Sequence, residues 1–261
     1  MQVRRFVASR GAVGASGANR VLAVGSGRGG AGTSLVAALL AARAAMRGRV
    51  LLVDADPLVG TQHLLWGVSE GPGLWALKGG ALDPEDLLTP ISASLSLITL
   101  SAGGDAPTEA EARTLLRRVS SLFSDWDTVV VDAGSRRSSL RSCRDLGVGV
   151  LLVVGQVDSF GIATTHALLK AAALDVPGLE TPVLFNRAAA HEAERATDVL
   201  DDGVVRFLDQ PLRIAGSFPS DLRLAAALEQ GALLPGALAE SPLLGLADGV
   251  LNQLLATVAD R

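Results

Sequence analysis

The sequence predicts an α/β fold, a doubly wound and mainly parallel sheet with helices on both faces. Three features predict it. Short apolar runs alternate with stretches of helical periodicity from residue 20 to the end of the chain. Between the first run and the first helix, Gly25, Gly27, Gly29, Gly30 and Gly32 crowd eight positions. Acids stand at the ends of later apolar runs, Asp54 and Asp56 after the second and Asp132 after a further one, where open parallel sheets hold their ligands.

The first strand is Val21, Leu22, Ala23 and Val24, and positions 35–42 carry no helix breaker. The glycine turn between them is how a phosphate cradle is built. Without side chains the turn can take positive φ and bring backbone N–H groups against an anion, and the positive end of the next helix adds attraction. A complete P-loop reads GxxxxGK[ST]; Gly27 to Ser34 reads G-R-G-G-A-G-T-S, so Thr33 stands where the phosphate-binding lysine belongs. Ser34 keeps the position of the Mg²⁺-ligating hydroxyl, and Arg28 places a cation at the mouth of the turn. The alternative is a glycine-rich strand-to-helix turn without that chemistry.

The stretch S-G-R-G-G-A-G-T-S resembles the deviant Walker A motif, xKGGxGK[ST], of the ParA/MinD family of ATPases. The resemblance implies a P-loop fold that binds ATP and Mg²⁺ and a homodimer formed across the nucleotides. It places the cradle on Gly27, Gly29, Gly30, Ala31, Gly32, Thr33 and Ser34. Arg28 falls on the family's signature lysine, which reaches the partner's nucleotide, and Thr33 falls on the P-loop lysine itself. The ATPase is therefore expected to be weak at most.

The second strand, around residues 49–53, delivers Asp54-Ala55-Asp56-Pro57. Two acids and a proline also suit a simple turn. In the resemblance, Asp56 positions the attacking water, and Asp54 supports the metal together with Ser34 and Asp132. Residues 71–80 are rich in turns, 82–88 form a short helix opened by Asp83-Pro84, and no chemistry is assigned to residues 66–90. A strand at 95–100 and a crossover helix at 108–123, with Leu115, Leu116, Val119 and Leu122 at helical spacing, lead to a strand at 128–131 that ends on Asp132. An acid there can hold the water shell of Mg²⁺, as a Walker B residue does.

Residues 135–144 carry Arg136, Arg137, Arg141 and Arg144 without an acid. This patch suits DNA, anionic lipid, a partner protein or a plain solvated face, and no base-reading residues are interleaved. Residues 147–155 are the most hydrophobic strand, expected at the centre, and 159–173 the helix after it, in which His166 has no partner at ligand spacing. The strand at 181–187 ends on Asn186-Arg187, which match the family's adenine-contacting pair; a plain strand-end turn is the alternative. A helix at 188–200 and an edge segment around 204–208 follow. Residues 215–231 resemble a late segment whose backbone packs on the base near Pro219, with Asp221 and Gly231 at its other fixed positions. In the last helix, at 242–258, Leu243, Leu246, Ala247, Val250, Leu254 and Val258 share a face. Its polar side offers Asp248, Asn252 and Gln253 rather than the lysines and arginines of a membrane-surface helix, so packing on the sheet is expected.

Composition bounds the rest. The 261 residues are 49% hydrophobic and 3% aromatic, enough for one large domain (20–261) with an aliphatic core, after a mildly basic tail (1–19) that lacks the apolar core of a signal peptide. A net charge of −4 argues against a polyanion-binding chain and hence against DNA as the main partner. Among the basic residues only Lys78 and Lys170 are lysines, and neither lies in a loop able to replace Thr33. The single Cys143 suits a reducing cytoplasm and permits no internal disulfide.

The run DADPLVGTQHLLWG, the Gly73-Leu74-Trp75 segment, the lost lysine and the closing Ser241-Pro242-Leu243 look most like the CpaE-like, septum-site-determining branch of the family. That resemblance implies a cytoplasmic protein, recruited to pole, septum or inner membrane face, that places a Tad-type pilus or secretion system or a division apparatus. A scaffold without nucleotide turnover and a DNA-partition ATPase are the alternatives.

Overall fold

The computed structural model describes residues 20–55, 60–99, 108–135, 138–208, 212–239 and 241–259. The chain enters on β1 (Arg20–Ser26), turns into α1 (Thr33–Ala45), and continues through β2 (Val50–Asp54) and a short α2 (Gln62–Trp66). Two 3-10 turns, Leu74–Leu77 and Pro84–Leu87, precede β3 (Thr89–Pro90) and β4 (Leu95–Thr99). Then come α3 (Glu109–Ser120), a 3-10 turn at Phe123–Asp125, β5 (Thr128–Gly134), α4 (Ser138–Asp145), β6 (Val150–Gly155) and α5 (Ser159–Asp175). The last part runs β7 (Val183–Asn186), α6 (Ala190–Leu208), β8 (Ile214–Phe218), α7 (Leu222–Glu229), α8 (Leu234–Leu238) and α9 (Leu243–Ala259).

The strands form one sheet in the order β3-β4-β2-β5-β1-β6-β7-β8. All neighbours are parallel except the two-residue β3, which runs antiparallel on β4. The runs are apolar without alternation because both faces are covered, as parallel sheets require. Alternate residues separate the two sides. Val21, Ala23, Leu51, Val53, Val129, Val131, Leu151 and Val153 pack with residues of α3, α4, α5 and α6. Leu22, Val24, Val50, Leu52, Val130, Leu152 and Val154 pack with residues of α1, α8 and α9. The expected doubly wound architecture is the one observed.

Local chemistry sets the helix starts. Thr108 and Glu111 form a reciprocal capping box on α3, the Asp158 carboxylate accepts from Gly161 N at 2.9 Å to open α5, and Asp221 accepts from Leu224 N at 2.9 Å to open α7. The last helix packs on the sheet, as expected, through Leu243, Ala247, Val250, Leu251 and Leu254. Leu246 departs from the expected face and is exposed, while Leu251 takes its place inside. On the outer side the Asp248 carboxylate accepts from Arg43 Nε at 2.6 Å and from Arg47, and Asn252 accepts from Arg47 at 2.6 Å, which clasps α9 to α1. No helix among the described residues is long and apolar enough to cross a membrane.

Two expectations are corrected. The segment at 204–208 is the end of α6 rather than an edge strand, and the edge strand is β8. Ala193, Ala196, Leu200 and Val204 form one buried stripe, and Gly203 lies against the His166 ring of α5. Helix-on-helix packing there overrides propensity. The most hydrophobic strand, β6, is wholly buried yet lies one place outside the central pair β5 and β1. The tail 1–19, Asp56, Arg136 and Arg137 lie outside the described residues.

Candidate nucleotide site

The carboxyl ends of β1, β2 and β5 lie side by side. Val24 and Asp54 are both in register with Asp132, so the glycine turn after β1 emerges beside the two acids. The turn is held close to the body of the protein. A Cβ on Gly27 would overlap the carbonyl oxygen of Thr164 in α5, so no larger residue fits there. Gly32, at φ 92°, precedes α1 in the left-handed region, and its carbonyl accepts from Val36 N at 3.0 Å. No side chain caps α1, and its first turn has no acid. Its first turn therefore sets no charge of its own against an anion, and Asp132 stands one amide away, across Gln62 from Ser34.

Thr33 is buried at the start of α1, and its hydroxyl donates to Ser26 Oγ at 2.8 Å. Ser26 Oγ in turn donates to the Arg28 carbonyl at 2.8 Å. The residue at the lysine position therefore turns inward and ties the loop to its own strand, through a hydroxyl relay that leaves no polar atom unpaired. Gly29 and Gly30 are exposed, Ala31 is buried and Ser34 is half-buried.

Asp54 and Asp132 are fully buried, and one residue serves both. The backbone N–H of Gln62 donates to Asp54 Oδ2 at 3.0 Å, and its side-chain amide donates to Asp132 Oδ2 at 2.9 Å and to the Ser34 carbonyl at 2.9 Å. Gln62 Oε1 accepts from the Trp66 indole N–H at 3.3 Å. The indole can only donate and the carbonyl can only accept, so these partners fix which way the amide points. Asp132 Oδ1 also accepts from Gly134 N at 3.2 Å. The oxygens of Ser34, Asp54 and Asp132 are the hard donor set a divalent cation takes. Their arrangement does not suit one: the Gln62 NH₂ donates one hydrogen to Asp132 Oδ2, an oxygen a cation would need, and the other to the Ser34 backbone carbonyl.

Arg28 is engaged within its own chain. It pairs with Asp158 Oδ2 at 3.1 Å, donates to Gln156 Oε1, and lies 5.4 Å from the Phe160 ring centroid, with Phe160 itself 63% exposed. Asn186 and Arg187 reach the glycine turn, but through its carbonyls: Asn186 Nδ2 donates to Ala31 O at 2.8 Å, and Arg187, at φ 56°, donates to Gly30 O. Pro219 is exposed just after β8, and the Phe218 carbonyl before it accepts from Ala188 N at 2.9 Å, which joins the ends of β7 and β8. The structure thus brings Gly27 through Ser34, Asp54, Asp132, Asn186 and Arg187 to one end of the sheet. Of the expected arginine patch, Arg141 and Arg144 are exposed on α4.

The sequence reading missed Gln62, Ser26, Gln156 and Asp158. Gln156 and Asp158 follow the most apolar strand, and polar residues at such a tip face the ligand crevice, so that signal was available. Nothing in the run around Gln62 marks it as buried.

No family model and no curated protein matches the sequence. Solved structures do match the fold. A complex of a McdA variant from Cyanothece with ATP has TM-score 0.72 and 20% identity, covering 92% of this chain and 98% of that one. The septum site-determining protein MinD from Pyrococcus horikoshii, complexed with Mg-ADP, has TM-score 0.68 and 20% identity over 90% and 95% of the two chains. The MinC:MinD cell division protein complex from Aquifex aeolicus has TM-score 0.70 and 17% identity over 91% and 96%. With its glycine turn at the tip of β1 and its acids at the tips of β2 and β5, the chain therefore has the fold of the ParA and MinD ATPases.

Proposed function

We propose that this chain is a ParA/MinD-type positioning protein whose nucleotide pocket has been converted to weak binding, with ATP hydrolysis near background. The observation that carries the reading is Thr33, which stands at the phosphate-binding position and spends its hydroxyl on Ser26. The backbone cradle and the uncapped start of α1 remain for phosphate. The ammonium that would meet charge in phosphoryl transfer is gone, and such groups commonly count for about 10² or more in rate. The resemblance to the CpaE-like branch makes a Tad-type pilus or secretion system or a division apparatus the cargo, with a homodimer as the working unit. The test is calorimetric titration with ATP, paired with a phosphate-release assay. Weak saturable binding without turnover supports the reading, and turnover typical of intact P-loop ATPases overturns it.

A second reading is a scaffold that binds no nucleotide. It is favoured by Asn186 and Arg187, each of which gives a donor to a carbonyl of the glycine turn, that of Ala31 and that of Gly30. A DNA-partition role is less well supported, because the net charge is −4.

A further inference from the structure

We infer that Gln62 is a built-in replacement for the divalent cation of this site, so the protein holds its phosphate-binding end together without metal. The inference rests on the reading of the site as a converted nucleotide pocket and deepens it. Two fully buried carboxylates in register on adjacent strands would ordinarily call for a counter-charge. Here Gln62 gives its backbone N–H to Asp54, and its amide nitrogen lies 2.9 Å from both Asp132 Oδ2 and the Ser34 carbonyl. The residue is itself fully buried, and the indole of Trp66, one turn along α2, fixes the amide from behind. A metal ligated by Asp132 Oδ2 must displace a buried amide and leave its N–H donors, the Ser34 backbone carbonyl and the indole to find new partners. The amide thus does by hydrogen bonding what a cation would do by charge.

The experiment uses the full chain and metal alone, without nucleotide, so that its failure bears on Gln62 and a failed ATP titration bears on the pocket. Mn²⁺ binding is read by electron paramagnetic resonance, and thermal stability is read with and without millimolar Mg²⁺. Wild type is expected to bind no Mn²⁺ and to keep its Tm. Gln62→Ala should melt about 5–10 °C lower, because several buried partners lose their bonds. It should also bind one Mn²⁺ and recover part of its Tm with Mg²⁺, and both gains should vanish on adding Asp132→Asn. Gln62→Met, which fills the space without donors, reads the same if the alanine variant does not fold. Wild-type Mn²⁺ binding that is lost in Asp132→Asn overturns the inference, as does a folded Gln62 variant that gains none.

Discussion

Replacing Thr33 by lysine asks whether the glycine turn is a phosphate cradle that has lost its cation. In the wild type the Thr33 hydroxyl donates to Ser26 at 2.8 Å from a buried position. Lysine cannot keep that bond and must turn its ammonium outward, so the free protein loses one net hydrogen bond, about 1 kcal/mol. For a chain of this size that lowers Tm by about 2–4 °C. With nucleotide bound, the ammonium gains a charge-assisted contact of about 1.5–3 kcal/mol, less up to about 2 kcal/mol for ordering a long side chain. The difference is roughly 1 kcal/mol, or about 5-fold tighter ATP binding. Thr33→Val isolates the two effects, since it loses the same bond and adds no charge. Isothermal titration and thermal melts of the three proteins form the assay. If Thr33→Lys, shown to be folded by circular dichroism, binds ATP no better than Thr33→Val, the turn is not a cradle awaiting a cation. Any turnover that Thr33→Lys gains should require Asp56, and adding Asp56→Ala should leave binding without hydrolysis.

Three further outcomes are expected. Gly27→Ala forces a methyl into the Thr164 carbonyl and should cost about 1–3 kcal/mol, whereas Gly29→Ala, with only Ser135 Oγ at 3.9 Å, should cost little; equal melting temperatures for the two would refute the packing argument. Sedimentation with a non-hydrolysable ATP analogue should show that Arg28→Ala abolishes nucleotide-dependent dimerisation and that Gln156→Ala, which loosens Arg28 while sparing the Asp158 cap, promotes it; identical behaviour of both variants and wild type would exclude Arg28 from the interface. Acid should destabilise the protein in a defined window, because Glu111, Asp221 and Asp248 among the described residues titrate below their ordinary values. Lys78 and then Thr108 hold Glu111 down to about 2, from an ordinary value of 4.5. The Leu224 N–H and the Ser241 hydroxyl lower Asp221, and Arg43 followed by Arg47 lowers Asp248. Groups whose folded values are depressed contribute stability that is complete above their unfolded values and is lost as pH falls through the folded ones. Melting temperature should therefore hold down to about 4.5 and decline toward about 2, with a shallower decline in Asp248→Asn.

The strands were legible because burial on both faces leaves uninterrupted apolar runs, and the tips were legible because Asp54, Asp132 and Asn186 end those runs abruptly. The glycine turn could be read for the same reason: Gly27 and Gly32 stand where backbone must pass close to other backbone or take positive φ, which few other residues allow. What stayed hidden was set by contacts between segments far apart in sequence. Gly203 reads as a breaker until α6 is laid on α5. Gln62 reads as a polar residue on a short surface helix until Asp54, Asp132 and Ser34 are brought around it. The inward turn of Thr33 depends on Ser26, seven residues earlier, and sequence shows only that a lysine is missing. The engagement of Arg28 with Gln156 and Asp158 spans about half the chain and leaves no local pattern.

The central claim is that the turn from Gly27 to Ser34 binds nucleotide through its backbone, with both of its usual cations replaced by internal hydrogen bonds. Calorimetric titration of the wild-type protein with ATP, in the presence and absence of Mg²⁺, tests it most directly. The account predicts weak, saturable binding with the same affinity in both titrations. Tight binding that requires Mg²⁺, accompanied by hydrolysis, would contradict it.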